Sequence, residues 1–334
     1  MRTRAVLMTR RVAAVDCGTN SLRLLVADID HDRVELTDVT RRMEIVRLGQ
    51  GVDQTGRLAP EALARTTGVL RDYADVIADT AADAVRMVAT SATRDASNAA
   101  EFTRQVKEIL GVAPEVLTGS EEAALSFTGA TAELAPAPDD GPFLVADIGG
   151  GSTEFVLGQA TAVGPGKTGE PAVQAISVDI GCVRMTERHL RSDPPSGAEL
   201  VAATADIDAA LDAVTGAVPV RQARTLIGLA GSVTTVAGIA MGLPAYDAAR
   251  IHHARVSAAD VHEVTRSLLA QTRASRAAIG VMHPGRVDVI GAGALILDRI
   301  MQRFGFGEVL VSEHDILDGI AWSLAVGMSG DARH

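Results

Sequence analysis

The sequence predicts an α/β protein composed of two related domains, on the basis of three observations. Short apolar runs typical of strands alternate with longer segments of helical periodicity, which favours α/β domains over all-α or all-β ones. An aspartate followed by a turn rich in glycine and hydroxyl residues occurs twice, at 16–21 and at 147–154, each time between two apolar runs. The chain has 334 residues, a length typical of about two domains.

The first half of the chain supplies the elements of the first predicted domain. Pro60 suits the first turn of a helix, and Gly111 suits the end of one. Asn98, with a glutamate three residues later, has the pattern of a capping box, and Ser120 is the predicted cap of the next helix. The predicted strands are 12–15, 22–27, 85–89 and 115–117, and the predicted helices are 60–80, 98–110 and 120–132.

The second half continues the alternation after a linker. The segment 134–142 is rich in proline, alanine and aspartate, so the predicted domains are 1–135 and 136–334. The last helix, about 315–328, is a candidate to pack back on the first domain. The predicted strands are 143–147, 153–158, 173–178, 225–231 and 308–311, and the predicted helices are 183–190, 198–214, one opened by Ser232, one capped by Ser257 and the last helix.

Composition predicts a cytoplasmic protein that does not bind nucleic acid or membrane. No apolar run reaches membrane-spanning length, and the two cysteines, Cys17 and Cys182, have no metal or redox spacing. The net charge of −11 argues against a nucleic-acid partner, which requires a basic face. A local arginine cluster could still bind a polyanion, because charges are screened over about 8 Å. The candidates for such a cluster, with ordinary solvated arginines as the alternative, are Arg23, Arg41, Arg42, Arg47 and Arg94.

The two aspartate–glycine turns are candidate phosphate-binding loops. Glycine lets the backbone approach an anion closely, and serine and threonine hydroxyls add hydrogen-bond donors. A glycine-rich hairpin with surface acids is the alternative for either turn alone, but the repetition favours phosphate binding. The candidate phosphate contacts are Gly18, Thr19, Asn20 and Ser21 in the first turn, and Gly149, Gly150, Gly151, Ser152 and Thr153 in the second.

Asp147 and Glu154 flank the second turn with carboxylates. Mg²⁺ prefers one or two carboxylates together with waters and substrate phosphates, so this pair is a candidate metal site, with Mn²⁺ as the alternative ion. Flanking surface acids without a metal are the plain alternative.

Glu121 and Glu122 follow Ser120 at the start of a predicted helix. Acids are common in a first helical turn because they complement the helix dipole, and this could be their whole role. The same field would keep a carboxylate ionised, which a general base at neutral pH requires. The pair therefore contains a candidate catalytic base.

Arg94 and the Gly231–Ser232 pair are further candidate contacts for an anion. Arg94 follows the strand 85–89, where a guanidinium could bind phosphate through two hydrogen bonds; an ordinary surface arginine is the alternative. Gly231 and Ser232 lie between a strand and a helix, where helix N–H groups favour an anion, and a simple helix cap explains Ser232 almost as well.

Seven segments, in order, resemble the exopolyphosphatase/guanosine pentaphosphate phosphohydrolase family over residues 12–325. The resemblance implies the actin-like/sugar-kinase/Hsp70 superfold, in which two ribonuclease-H-like domains flank a phosphate-binding cleft. It also implies hydrolysis of the terminal phosphate of inorganic polyphosphate, of pppGpp, or of both. Family members are often dimers, so a homodimer is one expected state. The segments begin at Asp16, Ala89, Thr118, Asp147, Ile180, Gly228 and Val311.

The resemblance also implies roles for single residues. Glu122, the second glutamate of a Gly–x–Glu–Glu–Ala motif, matches the catalytic base. Asp147 and Glu154 match the metal-site acids, with Asp16 in support. Arg94 and both turns match the phosphate-contacting positions. Further candidate substrate contacts are Arg23, Gly231, Ser232 and Arg286.

Two alternative functions stay open at this point. An ATP-dependent kinase or ATPase of the same superfold would share both turns, and a non-catalytic regulator would bind (p)ppGpp or polyphosphate without hydrolysis. The motif at 119–123 favours the hydrolase over the kinase, and the retained acids favour an enzyme over the regulator. The sequence ends without the additional C-terminal helical domain of longer family members, which leads us to expect a preference for short or medium polyphosphate.

Overall fold

The fold is described by a computed structural model that covers residues 9–30, 35–132, 134, 141–160 and 173–330. The strands are β1 Arg10–Cys17, β2 Ser21–Asp30, β3 Glu35–Ile45, β4 Ala84–Ala89, β5 Glu115–Val116, β6 Phe143–Ile148, β7 Thr153–Gly158, β8 Gln174–Val178, β9 Thr225–Leu229, β10 Arg255–Ser257 and β11 Glu308–Val311. The helices are α1 Val52–Thr55, α2 Pro60–Thr80, α3 Ser91–Arg94, α4 Ala99–Leu110, α5 Gly119–Thr131, α6 Cys182–His189, α7 Gly197–Ala217, α8 Ala230–Ala240, α9 Ala248–Ile251, α10 Ala258–Ala270, α11 Arg273–Ala277, α12 Ile290–Phe304 and α13 Ile316–Gly330. Short 3-10 turns lie at Val220–Gln222 and Pro284–Arg286.

The strands form two sheets with the same plan. The first sheet has the order β3-β2-β1-β4-β5, and the second has the order β8-β7-β6-β9-β11 with β10 added at its edge. In each sheet the central strand is antiparallel to the strand that follows it in the chain and parallel to its other neighbour: β1 to β4, and β6 to β9. This repeated order confirms the predicted α/β fold class of two ribonuclease-H-like halves.

The two aspartate–glycine turns occupy equivalent places in the two sheets. Asp16 is the penultimate residue of β1, and Asp147 is the penultimate residue of β6. Gly18 N–H donates to the Ser21 carbonyl at 3.0 Å, and Gly149 N–H donates to the Ser152 carbonyl at the same distance. Both turns therefore lie at the carboxyl ends of central strands, the edge where open α/β sheets bind ligands.

The cores are aliphatic on both sheets, and the last helix closes the first of them. One face of the first sheet packs against α2 and α4, and its other face packs against α13. The buried residues of α13 on this face are Ile316, Leu317, Ile320, Ala321 and Trp322, and they contact Val12, Ala14, Leu25 and Ala27 of β1 and β2. This packing brings the start of α13, at the opposite end of the sequence, beside Asp16.

Most predicted elements are present, but two predicted caps are wrong. Thr118, and not Ser120, caps α5. The Asn98 side chain makes no cap at α4; its amide instead bonds both backbone groups of Leu58, across the sequence. The capping of α10 by Ser257 is confirmed, whereas Ser232 lies inside the first turn of α8, which begins two residues earlier.

Two long elements, β3 and α12, have no counterpart in the sequence prediction, and neither do the short elements α1, α3, α9, α11 and β10. Strand β3 is mostly exposed and carries alternating charges rather than an apolar run, so it is defined by its pairing with β2 and not by its own composition. The first half of helix α12, residues 290–297, is buried and apolar on all sides and so has no amphipathic period, and polar side chains begin only at Asp298. The predicted boundary between 135 and 136 lies outside the described residues. Within the described ranges, no helix is both long and apolar enough to cross a membrane.

Candidate active site

One cleft gathers most of the predicted site residues. It lies where the turn after β1, the turn after β6 and the first turn of α5 meet, and it encloses about 90 Å³. Arg94, Gly151 and Thr153 are not part of its lining. The predicted residues that line it are Asp16, Gly18, Thr19, Asn20, Ser21, Arg23, Glu122, Asp147, Gly149, Gly150, Ser152, Glu154, Gly231, Ser232 and Arg286.

Asp16 is buried beside the first turn and is bound by Arg23. The guanidinium donates from Nε at 2.9 Å and from Nη2 at 2.7 Å to Asp16 Oδ2, and it also pairs with Asp315 just before α13. Burial raises the pKa of Asp16 although Arg23 opposes the change. Two carboxylates thus neutralise Arg23, whereas the buried Oδ1 of Asp16 has no hydrogen-bond partner within the described residues.

The acids of the second turn face each other across a strand pair. Asp147 of β6 and Glu154 of β7 are direct cross-strand partners, and both are buried. Ser126 Oγ donates to Asp147 Oδ2 at 2.7 Å, and Ser177 Oγ donates to Glu154 Oε1 at 2.7 Å. Each serine therefore fixes the position of one of the two carboxylates.

The first turn of α5 gives its two glutamates different surroundings. Thr118 and Glu121 form a capping box, in which Glu121 Oε2 accepts from Thr118 N–H at 2.8 Å and Thr118 Oγ1 accepts from Glu121 N–H at 3.3 Å. Glu121 is exposed, so its role is structural. Glu122 is buried, and its Oε2 accepts from Arg94 Nη1 at 3.3 Å. Of the two candidates for a base, Glu122 is the one that reaches the cleft.

Glu122, Asp147 and Glu154 lie close together in the cleft, and the pKa of each is raised. Burial is the largest cause at all three; at Asp147, together with the Glu154 charge, it raises the pKa to about 7. The pKa of Glu122 lies well above its usual value, because burial and the charges of Glu154 and Asp147 outweigh Arg94. The expectation that the helix terminus keeps Glu122 ionised is therefore wrong for the protein alone, since desolvation dominates. A cation beside these groups would lower their pKa values.

The two turns are in direct contact across the cleft. The Thr19 side chain of the first turn is held by Ser91 of α3, whose Oγ lies 2.8 Å from Thr19 Oγ1. A Cβ atom at Gly150 would lie 2.9 Å from Thr19 Cβ and 3.3 Å from the Asn20 nitrogen, so glycine allows this approach. A phosphate group in the cleft would meet donors from both turns.

Two predicted phosphate contacts are bonded to the protein itself. Arg94 Nη1 donates to the Leu117 carbonyl at 2.9 Å besides contacting Glu122, so it lies behind Glu122 as seen from the cleft. Thr153 Oγ1 donates to the Ile180 carbonyl. Both side chains therefore support residues of the cleft in this structure.

Arg286 is the cation at the rim of the cleft. Its guanidinium packs on Gly231, where a side chain would have no room, and Nη1 lies 3.5 Å from Thr235 Oγ1. Within the described residues it makes no ion pair with a carboxylate, in contrast to Arg23. Its positive charge is available to an anion.

The carboxylates fit a magnesium ion only together with other ligands. Among the residues that the structure describes, no group of three or more His, Cys, Asp or Glu could by itself hold a metal ion, so Asp16, Asp147 and Glu154 do not form a complete cage. The unpartnered Oδ1 of Asp16, beside the carboxylates of Asp147 and Glu154, suits an ion that retains waters and binds phosphate.

Several residues of the site escaped the sequence prediction. No sequence signal marks Ser126 or Ser177, which orient the two acids across long sequence separations. Asp315 could have been found as an acid shortly after a buried strand, the pattern that identified Asp16 and Asp147. Ser91, beside the first turn, follows β4 in the same manner.

The chain is similar to known phosphatases over nearly its whole length. The profile of the Ppx/GppA phosphatase family matches residues 25–326. Exopolyphosphatase 2 of Mycobacterium tuberculosis is 51% identical over 326 residues, covering 94% of this chain and 98% of that protein. The guanosine-5'-triphosphate,3'-diphosphate pyrophosphatase of Aeromonas salmonicida is 28% identical over 93% of this chain but is matched over only 59% of its own length.

A solved structure shares the arrangement of both sheets. The crystal structure of an exopolyphosphatase-like protein superposes with a TM-score of 0.88 at 42% identity, covering 95% of this chain and 98% of that chain. The similarity extends over both halves and thus over the cleft between them.

Proposed function

The chain belongs to the Ppx/GppA phosphatase family, and we propose that it hydrolyses the terminal phosphoanhydride of inorganic polyphosphate, of pppGpp, or of both. The observation that supports this most is a single cleft in which Glu122 faces the turn after β1, the turn after β6 and the Asp147–Glu154 pair. The names of the two relatives, an exopolyphosphatase and a pppGpp pyrophosphatase, support the same bond type.

The two turns bind and orient the terminal phosphate groups. Their backbone N–H groups and the Thr19, Ser21 and Ser152 hydroxyls are donors for phosphate oxygens, and Arg286 adds a charge at the rim. Phosphoryl transfer passes through a loose transition state, so position and charge stabilisation supply most of the acceleration.

Glu122 is the general base of this proposal. Its carboxylate accepts a proton from a water as the water oxygen bonds to the terminal phosphorus and the bridging P–O bond breaks. Orthophosphate, which now carries the water oxygen, is released, and the electron pair of the broken bond stays on the bridging oxygen of the shortened chain. The raised pKa of Glu122 makes it a stronger base than an ordinary glutamate once it is ionised. Arg94, 3.3 Å away, holds its carboxylate in place.

Asp147 and Glu154 would hold Mg²⁺ or Mn²⁺, with Asp16 in support, and such an ion would supply Lewis-acid stabilisation of the phosphate charge. Ser126 and Ser177 keep the two carboxylates in place for this purpose.

One parallel assay separates the three candidate functions. Phosphate release is measured with Mg²⁺ from polyphosphates of defined length, from pppGpp and from ATP, with and without added sugars. The hydrolase releases phosphate from polyphosphate or pppGpp without an acceptor. Phosphorylation of a sugar by ATP would select the kinase, and tight (p)ppGpp binding with no release would select the regulator.

A further inference from the structure

Arg23 lines the cleft and bonds two carboxylates rather than one. Its Nε and Nη2 atoms donate to Asp16 Oδ2 at 2.9 Å and 2.7 Å, and its Nη1 atom donates to Asp315 Oδ2. Both carboxylates are buried, and the arginine is largely covered as well. The guanidinium is thereby committed to acids of the protein itself, and its orientation is fixed from two sides.

The bonds from Arg23 to Asp16 are one-sided. Both reach Oδ2, whereas the other oxygen, Oδ1, is buried and accepts no hydrogen bond from any part of the chain that the structure describes. A buried carboxylate oxygen without a partner costs free energy until a ligand completes it. Asp16 lines the same cleft as Asp147 and Glu154, so a divalent cation is the ligand that suits this oxygen. The orientation of Arg23 therefore decides whether Oδ1 stays available.

Asp315 is a rigid anchor for Arg23. Its Oδ1 accepts from Leu317 N–H at 3.0 Å, and its own N–H donates to Asp318 Oδ2 at 2.9 Å, at the start of α13. One oxygen of Asp315 thus bonds the backbone while the other bonds the guanidinium. The carboxylate cannot rotate without losing one of these partners.

The start of α13 is also packed tightly on α5, the helix that carries the candidate base. A Cβ atom at Gly129 of α5 would overlap the carbonyl oxygen of Asp315, and one at Gly319 of α13 would overlap the carbonyl oxygen of Leu125. Glycine at both positions allows this close approach of the two backbones. The position of Asp315 is therefore fixed relative to the acids of the cleft.

Loss of the Asp315 charge would change what Arg23 does to Asp16. Among the described residues, Asp16 would then be the one carboxylate left to pair with the guanidinium. An arginine and a single carboxylate favour a bidentate pair, in which both carboxylate oxygens accept. Such a pair would occupy Oδ1 of Asp16 and place a positive charge against an incoming cation.

We propose that Asp315 is a positioning residue for the metal site: it holds Arg23 on one oxygen of Asp16 and so keeps the other oxygen available to a divalent cation. This inference rests on the metal-assisted hydrolysis of the proposed function. It assigns Arg23 to the acids of the cleft rather than to the substrate, and it gives the start of α13 a role in metal binding.

A double-mutant cycle tests whether Asp315 acts through Arg23. Mn²⁺ binding is followed by EPR in the parent, Asp315→Asn, Arg23→Gln and the double variant, with orthophosphate present to supply phosphate oxygens. Asparagine keeps the acceptor for Leu317 N–H and removes the charge. Residues that orient metal ligands typically contribute about 10–100-fold to metal affinity, so Asp315→Asn should weaken Mn²⁺ binding about 10-fold in the parent background. In the Arg23→Gln background the same change should have a clearly smaller effect.

Asp318→Asn is the matched control for the loss of charge. It neutralises a buried carboxylate of the same helical turn that pairs with Arg41 and not with Arg23, and it should keep Mn²⁺ affinity near the parent value. A loss as large as that of Asp315→Asn would show that any negative charge here favours the cation, and it would refute the proposal. This comparison decides the matter if Arg23→Gln does not fold.

The outcomes separate this inference from the proposed function. Equal losses of Mn²⁺ affinity in the two backgrounds, or unchanged binding in Asp315→Asn, would overturn the positioning role. The binding assay requires no turnover, so a parent protein that binds Mn²⁺ but releases no phosphate from polyphosphate or pppGpp would contradict the hydrolase alone. A parent protein that hydrolyses these substrates but binds no Mn²⁺ would overturn this inference alone.

Discussion

Glu121 and Glu122 are neighbours in one helical turn, yet the fold assigns them opposite surroundings. Glu121 is exposed and closes the capping box of α5, whereas Glu122 is buried beside Asp147, Glu154 and Arg94. The two side chains are chemically identical but lie on different sides of helix α5. Their surroundings, and not the residue type, therefore decide what each can do. This contrast also provides a control for every experiment on the base, since both positions carry the same side chain.

The pKa of Asp147 predicts how pH affects stability in the absence of metal. Its folded value is about 7 against an ordinary 3.8, so the folded state holds a proton that the unfolded state has lost. The contribution of Asp147 to stability should therefore be largest at low pH and should be lost as pH rises through about 7. Thermal melts in EDTA at about pH 5 and about pH 8 should show a larger drop for the parent than for Asp147→Asn. Identical drops would contradict the assigned pKa.

Gly150 is predicted to be required for the contact between the two turns. In Gly150→Ala the new Cβ would lie 2.9 Å from Thr19 Cβ, so one turn must move. A misplacement of about 1 Å can cost about 100-fold in rate, and we expect a loss of about 10- to 100-fold in kcat/KM for polyphosphate. The control is Gly216→Ala in α7, where no atom lies within 4 Å; it should keep full activity. Comparable activity of the two variants would refute the role of Gly150.

The sequence was sufficient to predict the positions of the two turns and of Asp16 and Asp147, because each turn lies directly at the end of a buried apolar strand. It was insufficient for Ser126, Ser177 and Asp315, whose partners lie 21, 23 and 292 residues away along the chain. Such pairs depend on how the elements pack, which local patterns do not encode. The same reason explains why the burial of Glu122, and hence its raised pKa, was not foreseen.

At the scale of elements, α5 is the helix on which the site depends. It begins with the capping box of Thr118, packs against α13 and carries Glu122 into the cleft. The sequence predicts its cap two residues too late, at Ser120, because Ser120 and Thr118 are both suitable cap residues and only the backbone conformation selects between them. Strand β3 was missed since charged, exposed strands lack the apolar alternation that identifies a strand.

Removal of the α5 cap should affect activity as well as stability. Thr118→Ala should cost about 0.5–2 kcal/mol of stability and lower kcat, because the turn that holds Glu122 loosens. Ser196→Ala removes the equivalent capping box of α7, which lies outside the cleft lining, and should cost similar stability with normal kcat. Chemical denaturation and polyphosphate turnover are measured on both. A normal kcat in Thr118→Ala despite lost stability would show that the cap does not position the base.

At the scale of the whole molecule, ion pairs connect the two halves beside the cleft. Asp53 of α1 accepts from Arg184 at 2.6 Å and from Arg188 at 2.8 Å, both on α6. Arg184 also donates to the Gly151 carbonyl at 2.7 Å and thus links these pairs to the second turn. Formation of the site therefore depends on how the halves are held together.

Asp53→Asn should weaken this connection. Partly exposed pairs contribute up to about 1 kcal/mol, so we expect about a 5-fold loss of kcat/KM, together with a smaller dependence on salt than in the parent. The control is Asp212→Asn, which removes an exposed pair with Arg303 within the second half and should leave kinetics unchanged. Steady-state kinetics at two salt concentrations provide the check, and parent-like kinetics in Asp53→Asn would argue against the link.

The most direct test of the proposed hydrolysis compares Glu122→Gln with Glu121→Gln in phosphate release from polyphosphate and from pppGpp. The first variant keeps the shape of the buried side chain and removes the base; the second removes a charge one residue away. A positioned base contributes about 10²–10⁴-fold, so Glu122→Gln should lose activity by that factor on both substrates while KM stays similar. Glu121→Gln should retain near-parent rates. Near-parent hydrolysis by Glu122→Gln, or equal losses in the two variants, would contradict the assignment of Glu122 as the base.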